Sequence, residues 1–143
     1  MVLDISSLQK VVALLDRALK MAASDRMREL REDERELIKA GVIQNFEFTY
    51  ELCWKTLKRY LEMSSPNPAE IDNMSFADLI RTGCENNVLL SDLSAWQNYR
   101  KARGITSHVY DAKKAEEVLR VLPGFLREAK YLLEKLQERL GKL

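Results

Sequence analysis

A chain of 143 residues fits one domain, residues 1–143, and is long enough to bury a hydrophobic core. Its 23 basic and 22 acidic residues leave a net charge of +1, which excludes a global field drawing it to nucleic acid or an anionic membrane; any RNA contact must come from a local patch. Five glycines and three prolines are too few to punctuate a sandwich of many short strands, so long helices are favoured.

The N-terminal Met1-Val2-Leu3-Asp4 has no basic stretch followed by an apolar core, and no uncharged run approaches the length needed to cross a bilayer. A cytoplasmic protein is expected. The first helix is predicted from Asp4 or Ser6, both acceptable caps, with Leu8, Val11, Val12, Leu15, Ala18, Leu19 and Ala22 forming one apolar stripe. Between Ser24 and Arg35 acids and bases alternate, which fits a solvated connection or a frayed helix extension better than a nucleic-acid arm.

The second helix is predicted to be the longest, from about Glu34 to Met63. Ile43, Phe46, Tyr50, Trp54, Leu57 and Leu61 make its stripe, and Ile38, Val42, Thr49, Cys53 and Tyr60 widen it. So broad a face suits a helix with neighbours on several sides or one that meets a second subunit. Pro66 and Pro68 end it, and a loop is expected as far as Ser75. Ser75 then caps a short helix carrying Phe76, Leu79, Ile80 and Cys84, which stops at Asn86-Asn87. Ser91 or Asp92 caps the next, through Leu93, Trp96, Tyr99 and Arg103, and Gly104 marks its end. Asp111 is the predicted cap of the last helix, whose stripe runs from Val118 to Leu140, with a kink or short break at Pro123-Gly124. Cys53 and Cys84 lack metal-ligand spacing and lie in apolar patterns, as buried free thiols do.

The chain has one histidine, His108, which rules out a histidine-rich metal site, and it contains no phosphate-loop, dinucleotide or zinc-protease motif. No metal and no cofactor is expected. Acid pairs are plentiful, but on helix faces solvation and pairing one turn apart account for them. The dense polar cluster lies between Trp96 and Asp111, where Arg100, Lys101 and Arg103 precede Thr106, Ser107, His108 and Tyr110. By composition alone this is a helix C-terminus whose cations favour the dipole, followed by a polar turn. Its functional reading is metal-free RNA cleavage. That chemistry needs a proton carrier for the 2′-hydroxyl or the leaving 5′-oxygen, and a fixed cation for charge developing on the phosphoryl oxygens. His108 and Arg103 are those two groups. On an unbroken helix they would point about 140° apart at ~100° per residue, so a break at Gly104 or a site shared between two chains is required.

Arg103-x4-His108-x-Tyr110, with Gly41 to Glu62 (GVIQNFEFTYELCWKTLKRYLE) in register upstream and Thr106 to Asp111 (TSHVYD) around the histidine, resembles the HEPN superfamily. Within it the chain is similar to the nucleotidyltransferase substrate-binding proteins, which include the HepT toxins of MntA–HepT systems. The resemblance spans nearly the whole chain, with Ser24–Arg35 as extra length. It implies an all-α, antiparallel up-and-down bundle of four main helices plus a short one. It also implies a homodimer in which Arg103 and His108 of both chains line one cleft, with Arg100, Thr106, Ser107 and Asp111 as supporting polar or phosphate contacts. The implied partner is a separate minimal nucleotidyltransferase, which in such toxin–antitoxin systems silences the nuclease by transferring AMP to the tyrosine after the histidine, here Tyr110. The chain departs from the family at Gly104, where a polar residue, often asparagine, usually follows the arginine.

Two functions are compatible with this reading. One is a toxin-like, metal-independent endoribonuclease, with His108 as general acid/base and Arg103 as charge stabiliser. The other is a non-catalytic subunit that binds substrate or nucleotide for its nucleotidyltransferase. For Tyr110 the plain alternative to AMPylation is a ring packed at the start of the last helix.

Overall fold

The computed structural model describes residues 3–140; Met1 and Val2, part of the segment read above for a leader, lie outside the described residues. Helix α1 (Ser6–Ala22) starts where Asp4 accepts a hydrogen bond from the Ser6 amide at 2.9 Å, and it buries Leu8, Val12 and Leu15. The charged segment after it is not a frayed helix. It forms a 3-10 turn over Asp25–Glu29 that buries Met27, and α2 (Glu32–Ser64) begins two residues earlier than its apolar pattern indicates. Its start is fixed by charge: Glu32, Asp33 and Glu34 occupy the first turn, and the Arg31 amide donates to Glu34 at 3.0 Å.

The stretch from Pro66 to Ser75 is not all loop. Pro68 opens a short helix, α3 (Pro68–Asp72), at the one turn where a missing N–H costs nothing, and Ile71 is buried beneath it. Ser75 caps α4 (Phe76–Glu85) by accepting from the Asp78 amide at 3.2 Å, and Asn87 leaves that helix at a φ of 60°. Asp92 caps α5 (Leu93–Gly104) through the Ala95 amide. A 3-10 turn over Thr106–His108 leads to Asp111, which accepts from the Lys113 amide at 2.9 Å at the start of α6 (Ala112–Leu140).

The expected break at Pro123-Gly124 is absent, and α6 runs through both residues as helix. Pro123 sits on the exposed side, while Leu122 and Phe125 beside it are wholly buried and hold the turn in place. Apolar packing there outweighs the lost backbone bond.

Among the described residues the fold is all helix, an up-and-down bundle in which α2 touches every other helix. Its centre is aromatic. Phe125 meets Phe46 edge-on at 5.0 Å between centroids, Tyr99 at 5.4 Å and Trp96 at 6.2 Å. Gly83 in α4 is required by close packing, since a Cβ there would come within 2.8 Å of the Leu89 side chain. Cys53 is buried, and Cys84 is half-buried with its thiol directed at the Ser91 carbonyl. Burial holds the Cys53 thiol well above its ordinary range. No helix is long and apolar enough to cross a membrane among the described residues.

Candidate active site around Arg103 and His108

The register of α2 sets one half of the site. Phe46, Tyr50 and Leu57 face the core, which leaves Glu47 and Glu51, one turn apart, on the flank next to α5. Arg103 arrives from the last turn of α5, where Ala102 is buried and Trp96 and Tyr99 lock the helix to the core. Its Nη1 lies 3.8 Å from Glu47 Oε2, and its Nε, shielded from solvent, lies 3.4 Å from Glu51 Oε1 without the alignment of a hydrogen bond. The guanidinium is also held from behind. Buried Thr106 accepts from Arg103 Nη1 at 3.0 Å and donates to the Arg103 carbonyl at 2.8 Å. Thr106 is therefore a positioning residue for Arg103, with its hydroxyl spent inside the fold.

Gly104 ends α5, and nothing lies within 4 Å of where its Cβ would be. His108 comes at the end of the 3-10 turn and is exposed. Its Nδ1 is 3.4 Å from the Tyr110 hydroxyl, and the two rings meet edge to face at 6.0 Å. Tyr110 is 84 % exposed, so the packed-ring alternative for it does not hold. Ser107 is exposed, and Asp111 is occupied as the cap of α6. Arg100 lies on the surface with its guanidinium 4.6 Å above the Phe76 ring.

Within one chain the two central residues have different neighbours. Arg103 answers to Glu47, Glu51 and Thr106, whereas His108 answers to Tyr110. Arg103 lines a cavity of about 540 Å³ between α2, α3, α4 and α5, and Tyr110 lines a separate one of about 320 Å³ between α2 and α6. Tyr50, whose ring borders the larger cavity, has its hydroxyl pushed up to about 12 by burial, with Arg100 pulling the other way.

Glu47 and Glu51 are the residues that the sequence reading passed over as solvated helix acids. The available signal was position: both border the broad apolar face, one turn apart and beside the core residues Phe46 and Tyr50.

The family model for nucleotidyltransferase substrate binding protein like proteins matches residues 3–138. The chain belongs to that family. A protein of Haemophilus influenzae described as a probable ribonuclease HepT is 43 % identical over 100 residues, covering 70 % of this chain and 68 % of its own. A solved structure from Haemophilus influenzae, described as revealing the fold of a substrate binding domain of a nucleotidyltransferase, superposes with a TM-score of 0.88 at 33 % identity, covering 94 % of this chain and 99 % of the other. The helical bundle inferred from the resemblance is the fold of this family member.

Proposed function

We propose that this chain is a toxin-like, metal-independent endoribonuclease whose site is completed when two copies meet. The observation that carries the reading is the division of contacts between Arg103 and His108: cleavage needs both at one phosphate, and a single chain gives them different neighbours. The relative described as a probable ribonuclease supports the activity. Two exposed apolar side chains support a surface for the second copy. Leu37 and Phe48 are 73 % and 53 % exposed on α2, three turns apart and about 20° around the helix from one another. Gly41 lies between them with open space where a side chain would be. A twofold pair built on this face is the commonest kind of soluble oligomer.

In the reaction, the 2′-oxygen of a nucleotide attacks its own 3′-phosphorus as a base removes the hydroxyl proton. The bond to the 5′-oxygen breaks, and that oxygen takes up a proton. Histidine carries protons near neutral pH, and His108, exposed on its turn, supplies the carrier. Arg103 supplies a fixed cation for the charge that grows on the phosphoryl oxygens. Its charge is partly countered by Glu47 and Glu51 until a phosphate competes for it.

Purified protein without a partner is expected to degrade RNA in EDTA, and His108→Ala and Arg103→Ala are each expected to lose roughly 10²–10³ of the rate with helicity intact. Equal inertness of wild type and His108→Ala on every RNA tried would favour the second reading, a non-catalytic subunit of a nucleotidyltransferase. That reading draws on the description of the solved relative as a substrate binding domain. The proposed partner is a separate minimal nucleotidyltransferase, and Tyr110, exposed beside His108, is the proposed acceptor of AMP. A transferred AMP would place phosphate charge and bulk beside His108. Intact mass after incubation with that enzyme, ATP and magnesium is expected to rise by whole AMP units in wild type and not in Tyr110→Phe.

A further inference from the structure

Two aromatic rings border the 540 Å³ cavity beside Arg103 without being covered by the fold: Trp54 of α2 and Phe76 at the start of α4, both only half-buried. Each carries a cation. Lys58 Nζ stands 6.0 Å from the Trp54 ring centre, and the Arg100 guanidinium stands 4.6 Å from that of Phe76. With Arg103 these make three cations around the cavity, of which Lys58 is paired with Asp72 at 3.0 Å and Arg103 with Glu47 and Glu51. Among the described residues Arg100 has no carboxylate partner, so the cavity sets a free cation beside two π-faces.

Glu51 ties the aromatic part to the charged part. One oxygen lies 3.4 Å from Arg103 Nε, and the other accepts from Trp54 Nε1 at 3.3 Å. The indole is thereby fixed in plane beside the guanidinium, whose Nε donor is not spent on a hydrogen bond among the described residues. The volume lies within the ~300–1,000 Å³ typical of small-molecule sites, and a flat aromatic ligand with an anionic group matches both halves of the lining. Proteins hold nucleotides with this pairing, bases on aromatic faces and phosphates on arginine.

We propose that this cavity is a nucleotide subsite, with the base against Trp54 and Phe76 and the phosphate on Arg100 and Arg103. The ligand chemistry is a nucleoside monophosphate unit, either one residue of an RNA strand or a free nucleotide. For the RNA source alone the proposal rests on the ribonuclease reading, in which Arg103 serves the scissile phosphate and the subsite holds the nucleotide next to it.

Tryptophan fluorescence reads the site through Trp54, since Trp96 is wholly buried in the core. The full chain is titrated with 5′-AMP, with adenosine, and with a fully 2′-O-methylated tetranucleotide that has no 2′-hydroxyl to attack. Saturable quenching is expected with AMP, the tetranucleotide or both. A tetranucleotide that binds more tightly than AMP identifies a strand as the source, and the reverse order identifies a free nucleotide. Phe76→Ala is expected to weaken binding by about tenfold or more. Arg100→Ala, a surface change, is expected to weaken AMP while leaving adenosine unchanged. Absence of binding by both phosphate-bearing probes, or equal binding by wild type, Phe76→Ala and Arg100→Ala, would overturn the proposal. If wild type cleaves RNA while those three proteins bind alike, the subsite fails and the ribonuclease stands. If wild type cleaves nothing while Phe76→Ala still loses AMP binding, the ribonuclease fails and the subsite stands.

Discussion

The aromatic centre around Phe125 and the polar segment from Arg103 to Tyr110 are built by the same helices and held in opposite ways. In the centre, Phe46, Trp96 and Tyr99 meet Phe125 edge to face and Tyr50 meets Phe46 and Phe125 at a tilt, so each ring is fixed by at least two others. In the polar segment each functional group depends on one to three polar partners. Arg103 has two carboxylates and a threonine, and His108 has a long contact to a tyrosine that is itself exposed. Core packing thus sets where α5 ends and how α2 is turned, and the site inherits its geometry from that register.

The comparison breaks most sharply if the core is removed. Phe125→Ala deletes the ring on which the others converge and is expected to cost ~3–5 kcal/mol of stability, read by chemical denaturation. A loss below about 1 kcal/mol would mean the rings are not mutually dependent. The core also contains a flaw. Glu128 is wholly buried, and neither carboxylate oxygen has a hydrogen-bond partner among the described residues. Glu128→Leu is expected to raise stability by roughly 1–3 kcal/mol, the cost of an unsatisfied buried polar group. A fall instead would show that the carboxyl is bound within the core.

Alkaline pH acts on buried acids of the core. Burial raises the hydroxyls of Tyr50 and Tyr99 and the thiols of Cys53 and Cys84 above their ordinary values. A proton that the folded state keeps and the unfolded state releases gives stability that falls as pH rises. The contribution is complete below about pH 9, the ordinary thiol value, and for Tyr50 is lost between its ordinary 10.0 and about 12. Melting temperatures are expected to be level near neutrality and to drop above pH 9, and Tyr50→Phe to flatten the fall above pH 10. The smallest expected effect is at Gly41. With nothing near its missing Cβ, Gly41→Ala is expected to stabilise the isolated chain by ~0.5–1 kcal/mol, measured at concentrations where it is monomeric. Weaker association in the same variant would place Gly41 in the contact between copies.

Most helix boundaries were legible because single residues write them: Ser75, Asp92 and Asp111 cap as expected, and Asn87 turns the chain after α4. Two features were not, for the same reason. Pro68 and Pro123 are local breakers whose outcome depends on context: the first turn of a helix tolerates one, and buried neighbours on both sides hold the other. The missed helix matters, because Ile71 on α3 helps wall the cavity beside Arg103. Trp54 followed the core stripe in the pattern and proves half-buried at that cavity, since helical spacing gives a direction and not what lies in it. In the site, Arg103, His108 and Tyr110 stood out by chemistry and motif. Glu47 and Glu51 did not, because a carboxylate pair one turn apart looks the same whether it faces water or an arginine.

The central claim is that Arg103 and His108 serve one phosphate from two chains, and complementation tests it directly. Arg103→Ala and His108→Ala chains, co-expressed with different tags and purified as the mixed pair, are assayed for RNA cleavage in EDTA. Each variant alone is expected to be nearly inert, and the mixed pair to recover activity well above either. A mixed pair as inert as its parents, with wild-type cleavage intact, would contradict the account.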